Sequence, residues 1–248
     1  MDIGLFDFEL DKHKIALLPA TPRDHSKLML LDQSKRFSHK HFYDLPNLLN
    51  PDDIIVVNNT KVIPSYFEVK RWRKNNISNI KLNIIRQLDD GDWIILAKPK
   101  RRLQILDKLI FSDKDDVSAD VIGLEDEHVK IKFNQNMDMV AWMENNGKLP
   151  LPPYITAQRD IRDEDKISYQ TVYAKHSGSA AAPTAGLHFT EKLFDEIKSK
   201  GVSVCNVLLH VGTGTFSPIK TKNIMDHKIH SEWCSLDADA ANALNAAR

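Results

Sequence analysis

Two runs of consecutive apolar residues predict buried parallel strands in an α/β layer. The first, DDIIVVNNTKVIP at residues 52–64, sets four β-branched residues before a polar break, which is typical of a strand buried on both faces. The second, VSVCNVLLHVG at residues 202–212, follows a segment from Glu191 to Lys200 that has an apolar face and Gly201 after its end. That segment is predicted to be a helix. Helix, glycine, buried strand and polar loop in this order indicate an α/β fold.

The pattern changes between residues 66 and 133, where short runs alternate apolar and polar positions. Turn signals separate these runs, as expected for antiparallel strands joined by hairpins. The clearest runs are residues 81–86, 93–97 and 128–133, with turn residues at 89–91 and 125–127. We therefore predict a larger α/β domain, residues 1–65 and 150–248, interrupted by an inserted antiparallel β-barrel-like domain at residues 66–149.

The charge of the chain is balanced overall but uneven within the predicted insertion. The 248 residues include 34 basic and 34 acidic side chains, so no global charge points to nucleic acid or to a membrane. Residues 66–102 hold 10 basic and 4 acidic residues, a net charge of +6, whereas residues 113–127 hold 1 and 7, a net charge of −6. The basic clusters KRWRK (70–74) and KPKRR (98–102) suit a nucleic-acid backbone, and the aromatic residue in the first suits base stacking. The solvated surface of an ordinary β domain explains the same charges.

Cysteine usage and hydrophobic length point to a cytoplasmic protein. Cys205 and Cys234 are too few to cross-link a chain of this size and lack metal-site spacing, so both are expected to be reduced. The N-terminal segment MDIGLFDFELDKHK lacks the apolar core of a signal peptide, and no apolar run is long enough to span a bilayer.

Two glycine-containing segments stand where α/β proteins bind ligands. PTAGLHFT (183–190) precedes the predicted helix and leaves little bulk around its backbone, which would let a ligand come close. HVGTGTF (210–216) ends the second strand, where the amides and hydroxyls of residues 212–215 suit a polar ligand. It is not a dinucleotide fingerprint, because Ser217 replaces the third glycine. A tight packed loop and a glycine turn are the structural alternatives.

Four histidines lie in or near these segments and are candidates for acid–base chemistry. They are His188, His210, His227 and His230, the last of which is close to Glu232. An imidazole exchanges protons near neutral pH, although a single histidine more often has a structural role. The HxxH spacing of residues 227–230 lacks a third obvious ligand, so no metal site is predicted.

The motifs YQTVYA, PTAGLHFT, HVGTGTF and HKIHSEW occur together in this chain. In combination they closely resemble the S-adenosylmethionine:tRNA ribosyltransferase-isomerase family of queuosine biosynthesis. The N-terminal FDFEL, PA, RD and KLM elements and VVNNTKVIP match the same family. The resemblance runs over the whole chain and is weakest in the β insertion.

This resemblance implies a reaction on tRNA. Such enzymes transfer and rearrange the ribosyl part of S-adenosylmethionine onto 7-aminomethyl-7-deazaguanine at the wobble position, giving epoxyqueuosine and releasing adenine and methionine. The implied partners are S-adenosylmethionine, consumed as a substrate rather than held as a cofactor, and a tRNA with a GUN-type anticodon carrying the deazaguanine precursor. A monomer without a membrane partner or metal is expected. The family architecture, an α/β domain interrupted by a barrel-like one, agrees with the pattern above.

The resemblance also implies roles for matching residues. The expected catalytic residues are His188, His210 and His230. The expected substrate-binding residues are Tyr169, Thr171, Tyr173, Thr184, Gly186, Phe189, Gly212, Thr213, Gly214, Thr215, Phe216 and Glu232. The basic clusters, and not the resemblance, give the expected RNA contacts Arg71, Arg73, Arg101 and Arg102. A low-bulk backbone at residues 180–186 would give the substrates room, with His188 at the edge of the pocket.

The chain departs from the family pattern at three places. Asn59 stands where an aspartate is expected, and Cys234 follows Trp233 where the family usually has tyrosine. Residues 237–248 form an alanine-rich predicted helix with Asp237 as its N-cap, and family members continue well beyond it. A truncated chain with an exposed apolar sheet face and little turnover is therefore expected.

Two other functions compete with the transferase. One is a tRNA-binding remnant that has lost turnover, and the other is a generic nucleotide-binding α/β enzyme. Adenine release that depends on the modified tRNA separates the three.

Overall fold

A computed structural model describes residues 1–112, 116–125, 128–216, 219 and 221–247 of the chain, except for the side chains of Thr213 and Phe216. It consists of two compact units. The first unit is formed by Met1–Lys61, Pro152–His176 and Ala182–Arg248, and the second by Val62–Leu151 and Ser177–Ala181. No described helix is long and apolar enough to cross a membrane.

The strands alternate with few helices along the chain. The strands are β1 (Lys27–Leu31), β2 (Phe37–His41), β3 (Ile54–Asn58), β4 (Thr60–Val62), β5 (Tyr66–Arg73), β6 (Asn76–Gln87), β7 (Trp93–Lys98), β8 (Lys108–Ser112), β9 (Val117–Leu124), β10 (Val129–Phe133), β11 (His176–Ser179), β12 (Ser203–His210) and β13 (Trp233–Ser235). The α-helices are α1 (Met139–Asn146), α2 (Pro153–Thr156), α3 (Asp165–Ser168), α4 (Glu191–Ser199) and α5 (Ala238–Ala246).

The first unit contains the predicted α/β layer. Strands β3 and β12 pair in parallel, with Val56 opposite Cys205, and β13 pairs antiparallel to the other edge of β12. Helix α4 begins after Thr190, whose side chain accepts a hydrogen bond from the Leu193 amide, and Gly201 follows it with a φ of 85°. The apolar face of α4 packs on β3. The strands, the helix and its stop are therefore confirmed.

The prediction that β3 is buried on both faces is wrong. Ile55 and Val57 belong to the apolar cluster that α4 covers, but Val56 on the opposite face is 46% exposed. On that opposite face α5 covers Cys205, whose Sγ lies near the carbonyl oxygen of Ala240. The consecutive apolar residues thus reflect β propensity as well as burial.

Helix α5 begins where the sequence predicts. The side chain of Asp237 accepts a hydrogen bond of 2.7 Å from the Ala240 amide, which caps the first turn. Residue 248 lies outside the described part of the chain.

The second unit is built on a closed six-stranded barrel. Its antiparallel strands follow one another in the order β10, β7, β6, β5, β8 and β9, and β9 returns to β10. Alternate residues point inward, as Ile80, Leu82 and Ile84 of β6 do, and they fill the interior with apolar side chains. Closure leaves no unpaired edge. The predicted antiparallel β-barrel-like insertion is confirmed as a fold class.

Candidate active site

The imidazole of His188 is held by a serine from a distant part of the first unit. Its Nδ1 lies 3.0 Å from Oγ of Ser26, and the same Oγ donates a hydrogen bond of 2.7 Å to the carbonyl oxygen of Arg23. A hydroxyl has one proton, so towards His188 the oxygen of Ser26 accepts. His188 therefore carries its proton on Nδ1, and Nε2 presents a lone pair.

The surroundings of His188 favour its neutral form. Burial, and secondarily the positive charge of Arg23, lower the pKa of His188 below its ordinary value. The ring also lies 5.2 Å from the ring of Phe42, which in turn packs edge-on against Phe189. A neutral imidazole with a free Nε2 lone pair is suited to accept a proton at pH 7.

The space beside Gly186 is filled by the protein itself. A β-carbon at this glycine would lie 2.1 Å from Oη of Tyr173 and 2.9 Å from Cγ2 of Thr171. Residues Ala180–Ala182 just before the motif are also buried. The expectation that low bulk leaves room for substrates is therefore wrong at Gly186, because the side chains of Tyr173 and Thr171 occupy that room.

The YQTVYA motif supplies the side chains that pack there. Tyr169 and Thr171 are buried, and burial raises the pKa values of Tyr169 and Tyr173 to about 12. Tyr173 also packs edge-on against Phe189 and Phe194. The hydroxyl of Thr171 is buried without a hydrogen-bond partner among the described residues. A buried polar atom of this kind marks a place where a polar ligand would restore a lost hydrogen bond.

The residues after this motif lead to a second histidine. The amides of Lys175 and His176 donate to the carbonyl oxygen of Asn59, and the next residue, Thr60, has its Oγ1 2.8 Å from Nδ1 of His210. Residues 171–176 thus touch both the Gly186 turn and the strand end that holds His210. The two predicted segments belong to one unit and are connected through this third motif.

His210 is also kept neutral, and it stacks on an aromatic ring. Burial, and secondarily the nearby His176, lower the pKa of His210. The ring centroids of His210 and Trp233 are 4.9 Å apart at an interplanar angle of 20°, because the two residues face each other across β12 and β13.

The HVGTGTF turn is closed by the HKIHSEW segment. The amide of Gly212 donates a hydrogen bond of 2.8 Å to Oε1 of Glu232, and the same oxygen lies 3.0 Å from Nε2 of His230. The ring of His230 lies against Gly214, where a β-carbon would come within 2.4 Å of it. The Gly212 amide, expected to cradle a ligand, is thus already occupied by a carboxylate.

The remaining residues predicted to bind substrate make fewer contacts with these motifs. Thr184 and Thr215 are exposed, and the side chains of Thr213 and Phe216 lie outside the described part of the chain, as does Ser217. His227 belongs to the same segment as His230, but the described residues contain no group of three or more His, Cys, Asp or Glu able to hold a metal. Cys205 and Cys234 are free thiols; Cys205 is buried and Cys234 exposed.

The four arginines expected to bind RNA divide into two kinds. Arg71 is only 6% exposed and points into the barrel, where its guanidinium donates to Ser78 and Asn76, so its assignment as a phosphate contact is wrong. Arg73 forms a bidentate ion pair with Asp107 in the second unit. Arg101 and Arg102 are exposed.

Several site residues were not identified from the sequence. Arg23, Asp24 and Ser26 all lie in one segment, and Thr190 donates a hydrogen bond of 2.9 Å to Oδ2 of Asp24. Thr60, which contacts His210, comes from VVNNTKVIP. Both segments belong to the matching motifs, but nothing in them indicates which histidine each would approach.

Comparison with known proteins agrees with these motifs. A family model described as queuosine biosynthesis protein matches residues 3–248. A Maricaulis maris protein named S-adenosylmethionine:tRNA ribosyltransferase-isomerase is 38% identical over 254 residues, covering 100% of this chain and 71% of that protein. A protein of the same name from Sulfurihydrogenibium sp. is 42% identical over 237 residues, covering 95% of this chain and 68% of that protein. The crystal structure of an S-adenosylmethionine tRNA ribosyltransferase from Thermotoga maritima is 27% identical, with a TM-score of 0.40, covering 98% of this chain and 65% of that one.

Proposed function

The chain belongs to the queuosine biosynthesis protein family of S-adenosylmethionine:tRNA ribosyltransferase-isomerases, and from this membership we propose the reaction and the roles of its residues. Family membership makes the chain a tRNA-modifying enzyme of the transferase-isomerase class, as its motifs predicted. The reaction proposed for it moves the ribosyl part of S-adenosylmethionine onto 7-aminomethyl-7-deazaguanine in tRNA. Epoxyqueuosine forms, and adenine and methionine leave.

One observation carries the assignment of the site. The first unit holds two half-buried histidines, His188 and His210, whose pKa values are lowered and whose Nδ1 atoms are each held by a hydroxyl group. S-adenosylmethionine carries a positive sulfonium centre. A neutral imidazole does not repel that charge, and it has a lone pair that can accept a proton. The lowered pKa values therefore suit this substrate.

These imidazoles are proposed to transfer protons during the reaction. The amine of the deazaguanine loses a proton when it forms the new carbon–nitrogen bond, the ribosyl carbons lose another as methionine leaves the sulfonium centre, and the departing adenine takes one up. Nε2 of His188 is the acceptor proposed for the first step. His210 and His230 are proposed for the transfer to adenine, since Nε2 of His230 lies 3.0 Å from Oε1 of Glu232, which orients the ring.

The binding residues follow the same three motifs. Tyr169, Thr171 and Tyr173 are proposed to line the pocket with Phe189, and the Thr171 hydroxyl to pair with a polar group of the substrate. The turn from Gly212 to Phe216 is proposed to bind after the Glu232 carboxylate has moved from the Gly212 amide.

Further features of the proposed function rest on the chemistry of the reaction. The tRNA is proposed to have a GUN-type anticodon, and Arg101 and Arg102 to contact its phosphates. S-adenosylmethionine is proposed to be consumed as a substrate, and no additional cofactor is proposed. The chain is proposed to act as a cytoplasmic monomer.

Adenine release tests the proposal. The chain is incubated with S-adenosylmethionine and a tRNA that carries the deazaguanine precursor, and free adenine is measured. Release that requires the modified tRNA is the expected result, and the same tRNA with an unmodified guanine is the control. Binding of both substrates without release contradicts the proposal, as does release that is indifferent to the tRNA.

A further inference from the structure

A hollow of about 580 Å³ opens on the outer surface of the barrel, and none of its lining residues is assigned above to the reaction. Trp72 forms one wall, and Ile105 and Leu106 belong to the loop on the other side. Trp72 points outward because the inward positions of β5 alternate with it, and its partner across β8 is Lys108. The side chain of Trp72 is 46% exposed.

The loop that carries the apolar wall is firmly anchored. Arg73 donates two hydrogen bonds to the carboxylate of Asp107, which is 1% exposed, and a third to the carbonyl oxygen of Arg102. The amide of Gln104 donates to the same carboxylate, and the amide of Leu106 pairs with Val121 of β9. Charged hydrogen bonds of this kind are strong. The structural role of Arg73 is therefore to hold this loop.

The anchored loop presents apolar side chains to solvent at a conformational cost. Leu106 has a φ of 71°, a left-handed conformation that residues other than glycine rarely adopt, and it is 87% exposed. Ile105 beside it is 56% exposed. Exposed apolar residues and strained backbone conformations both gather at binding sites.

The charges around the hollow favour an anionic occupant. Lys74 and Lys108 line it, together with the acidic Asp120, while Arg73 and Asp107 neutralise each other. The exposed Arg102 is tied to the same loop through its carbonyl oxygen. The lining carries a net charge of +1, and Trp72 is two residues from Lys74 in sequence and opposite Lys108 in the sheet.

We propose that this hollow binds an unpaired nucleotide of RNA, with the base stacked on Trp72 and the flanking phosphates near Lys74 and Lys108. Aromatic side chains flanked by cations are how proteins bind single-stranded nucleic acid, because every base has a face that stacks. A paired helix keeps its bases stacked on each other, so the hollow selects an unpaired segment. The inference rests on the proposed function in one respect only, namely that the bound RNA is expected to be a tRNA.

Fluorescence and affinity measurements on the whole chain test the site without requiring turnover. The probes are a short single-stranded RNA, a duplex RNA of the same length, and an unmodified tRNA transcript with a GUN anticodon. Single-stranded RNA should quench the emission of the chain, and Trp72→Phe should remove most of that quenching, because stacking acts on the indole. Trp72→Ala should weaken binding of single-stranded RNA and tRNA about ten-fold, within the range that base stacking gives.

Matched variants separate the site from general effects. Trp72→Phe keeps a stacking ring and should keep most of the affinity. Phe37→Ala removes another exposed aromatic, in the first unit, and should leave binding unchanged. Lys108→Glu should weaken binding and reduce the slope of log affinity against log salt by about one, whereas Lys198→Glu on α4 should change neither.

Two results would overturn the site. One is unchanged RNA affinity and quenching in both Trp72→Ala and Lys108→Glu. The other is a concentration-dependent oligomer of the wild-type chain that Trp72→Ala dissociates, since the hollow would then bind a second copy. Loss of RNA binding in Trp72→Ala with no adenine release in any variant would support the site while contradicting the proposed reaction.

Discussion

Oγ of Ser26 lies 3.0 Å from Nδ1 of His188 although 162 positions separate the two residues in sequence. The serine proton is directed to the carbonyl oxygen of Arg23 at 2.7 Å. This second bond decides the direction of the first, because the hydroxyl has no further proton to donate. The pair therefore fixes the tautomer of His188.

Substitution of Ser26 should change that tautomer. With Ser26→Ala, the Nδ1 proton loses its acceptor, so the fraction of His188 protonated on Nε2 should rise. Turnover should fall about ten-fold, less than the roughly 10²–10⁴-fold that acid–base catalysis contributes, because the imidazole itself remains. The 15N chemical shifts of the imidazole report the tautomer in the folded chain, and adenine release reports the rate. Ser26→Thr keeps the hydroxyl and should retain both. An Nε2-protonated ring in the wild type would refute the assignment.

The pH dependence of turnover should be displaced towards acid. Because burial and Arg23 lower the pKa of His188, the ring stays neutral below the ordinary histidine pKa of about 6.5, and the acidic limb of kcat/KM should lie below that value. Below about pH 6.5 the unfolded chain binds a proton at His188 more readily than the folded chain does. The stability that comes from keeping His188 neutral is therefore fully present above about pH 6.5 and is lost as the pH falls through the folded pKa.

Arg23 offers a check on this pH profile. Arg23→Gln removes the repulsive charge and should move the acidic limb and the NMR titration of His188 to higher pH. Arg23→Lys keeps the charge and should leave the midpoint near that of the wild type. A midpoint that is the same in all three chains would show that Arg23 does not act on His188.

A side chain at residue 186 should disturb the site through Tyr173. The β-carbon of Gly186→Ala would lie 2.1 Å from Oη of Tyr173, so the tyrosine ring must move. We expect a loss of about 2 kcal/mol of the free energy of unfolding, as for an overpacked core, and reduced turnover. The double variant with Tyr173→Phe removes the closest atom and should recover part of the stability. Urea unfolding measures the stability of the single and double variants. If the stability losses of Gly186→Ala and Tyr173→Phe simply add in the double variant, the contact between the two residues is contradicted.

Local signals explain what the sequence predicted of the fold. Helix α4 was predicted because its apolar face and Gly201 lie within about a dozen residues. The barrel strands were predicted from alternation, which is also local. The exposure of Val56 was not predicted, since it depends on what covers the second face of β3 and β12.

The site was predicted less completely, because its contacts are long-range. The glycines correctly indicated close approach of another group, but the group at Gly186 is Tyr173 and the group at Gly214 is His230. Neither neighbour can be identified from the glycine segment itself. The basic run 70–74 was predicted to face solvent, yet strand alternation turns Arg71 into the barrel.

Acid should destabilise the first unit through Asp165. This carboxylate is almost fully buried and receives two hydrogen bonds from Arg159 and one from the Arg162 amide. Burial alone would raise its pKa, but these bonds outweigh burial and lower it below 3.8. The pair's stabilisation is therefore present above about pH 4 and is lost as the pH falls through the lowered pKa.

The variant Asp165→Asn measures this contribution. At neutral pH it should reduce the free energy of unfolding by about 3 kcal/mol, because Arg159 is left unpaired and nearly buried. The difference from the wild type should shrink at about pH 3, because the unfolded wild-type carboxyl binds a proton there more readily than the folded one, whose pKa is lowered. Asp32→Asn, which breaks the exposed pair with Arg36, is the control and should change little at either pH. An equal loss at both pH values would contradict the argument.

A methyl group at residue 214 should disable the histidine beside it. The β-carbon of Gly214→Ala would lie 2.4 Å from Cγ and Nδ1 of His230, so the ring must leave its place and lose its contact with Glu232. Turnover should fall with little change in melting temperature, because the ring is exposed and contributes little to the core. Gly212→Ala is the control for displacement of the ring, since its β-carbon would meet Glu232 only at 3.7 Å and should leave His230 in place. If displacement of the ring is the cause, His230→Ala lowers kcat on its own but adds no further loss to Gly214→Ala. If the rate loss of the double variant equals the product of the two single losses, Gly214 acts on the reaction independently of His230.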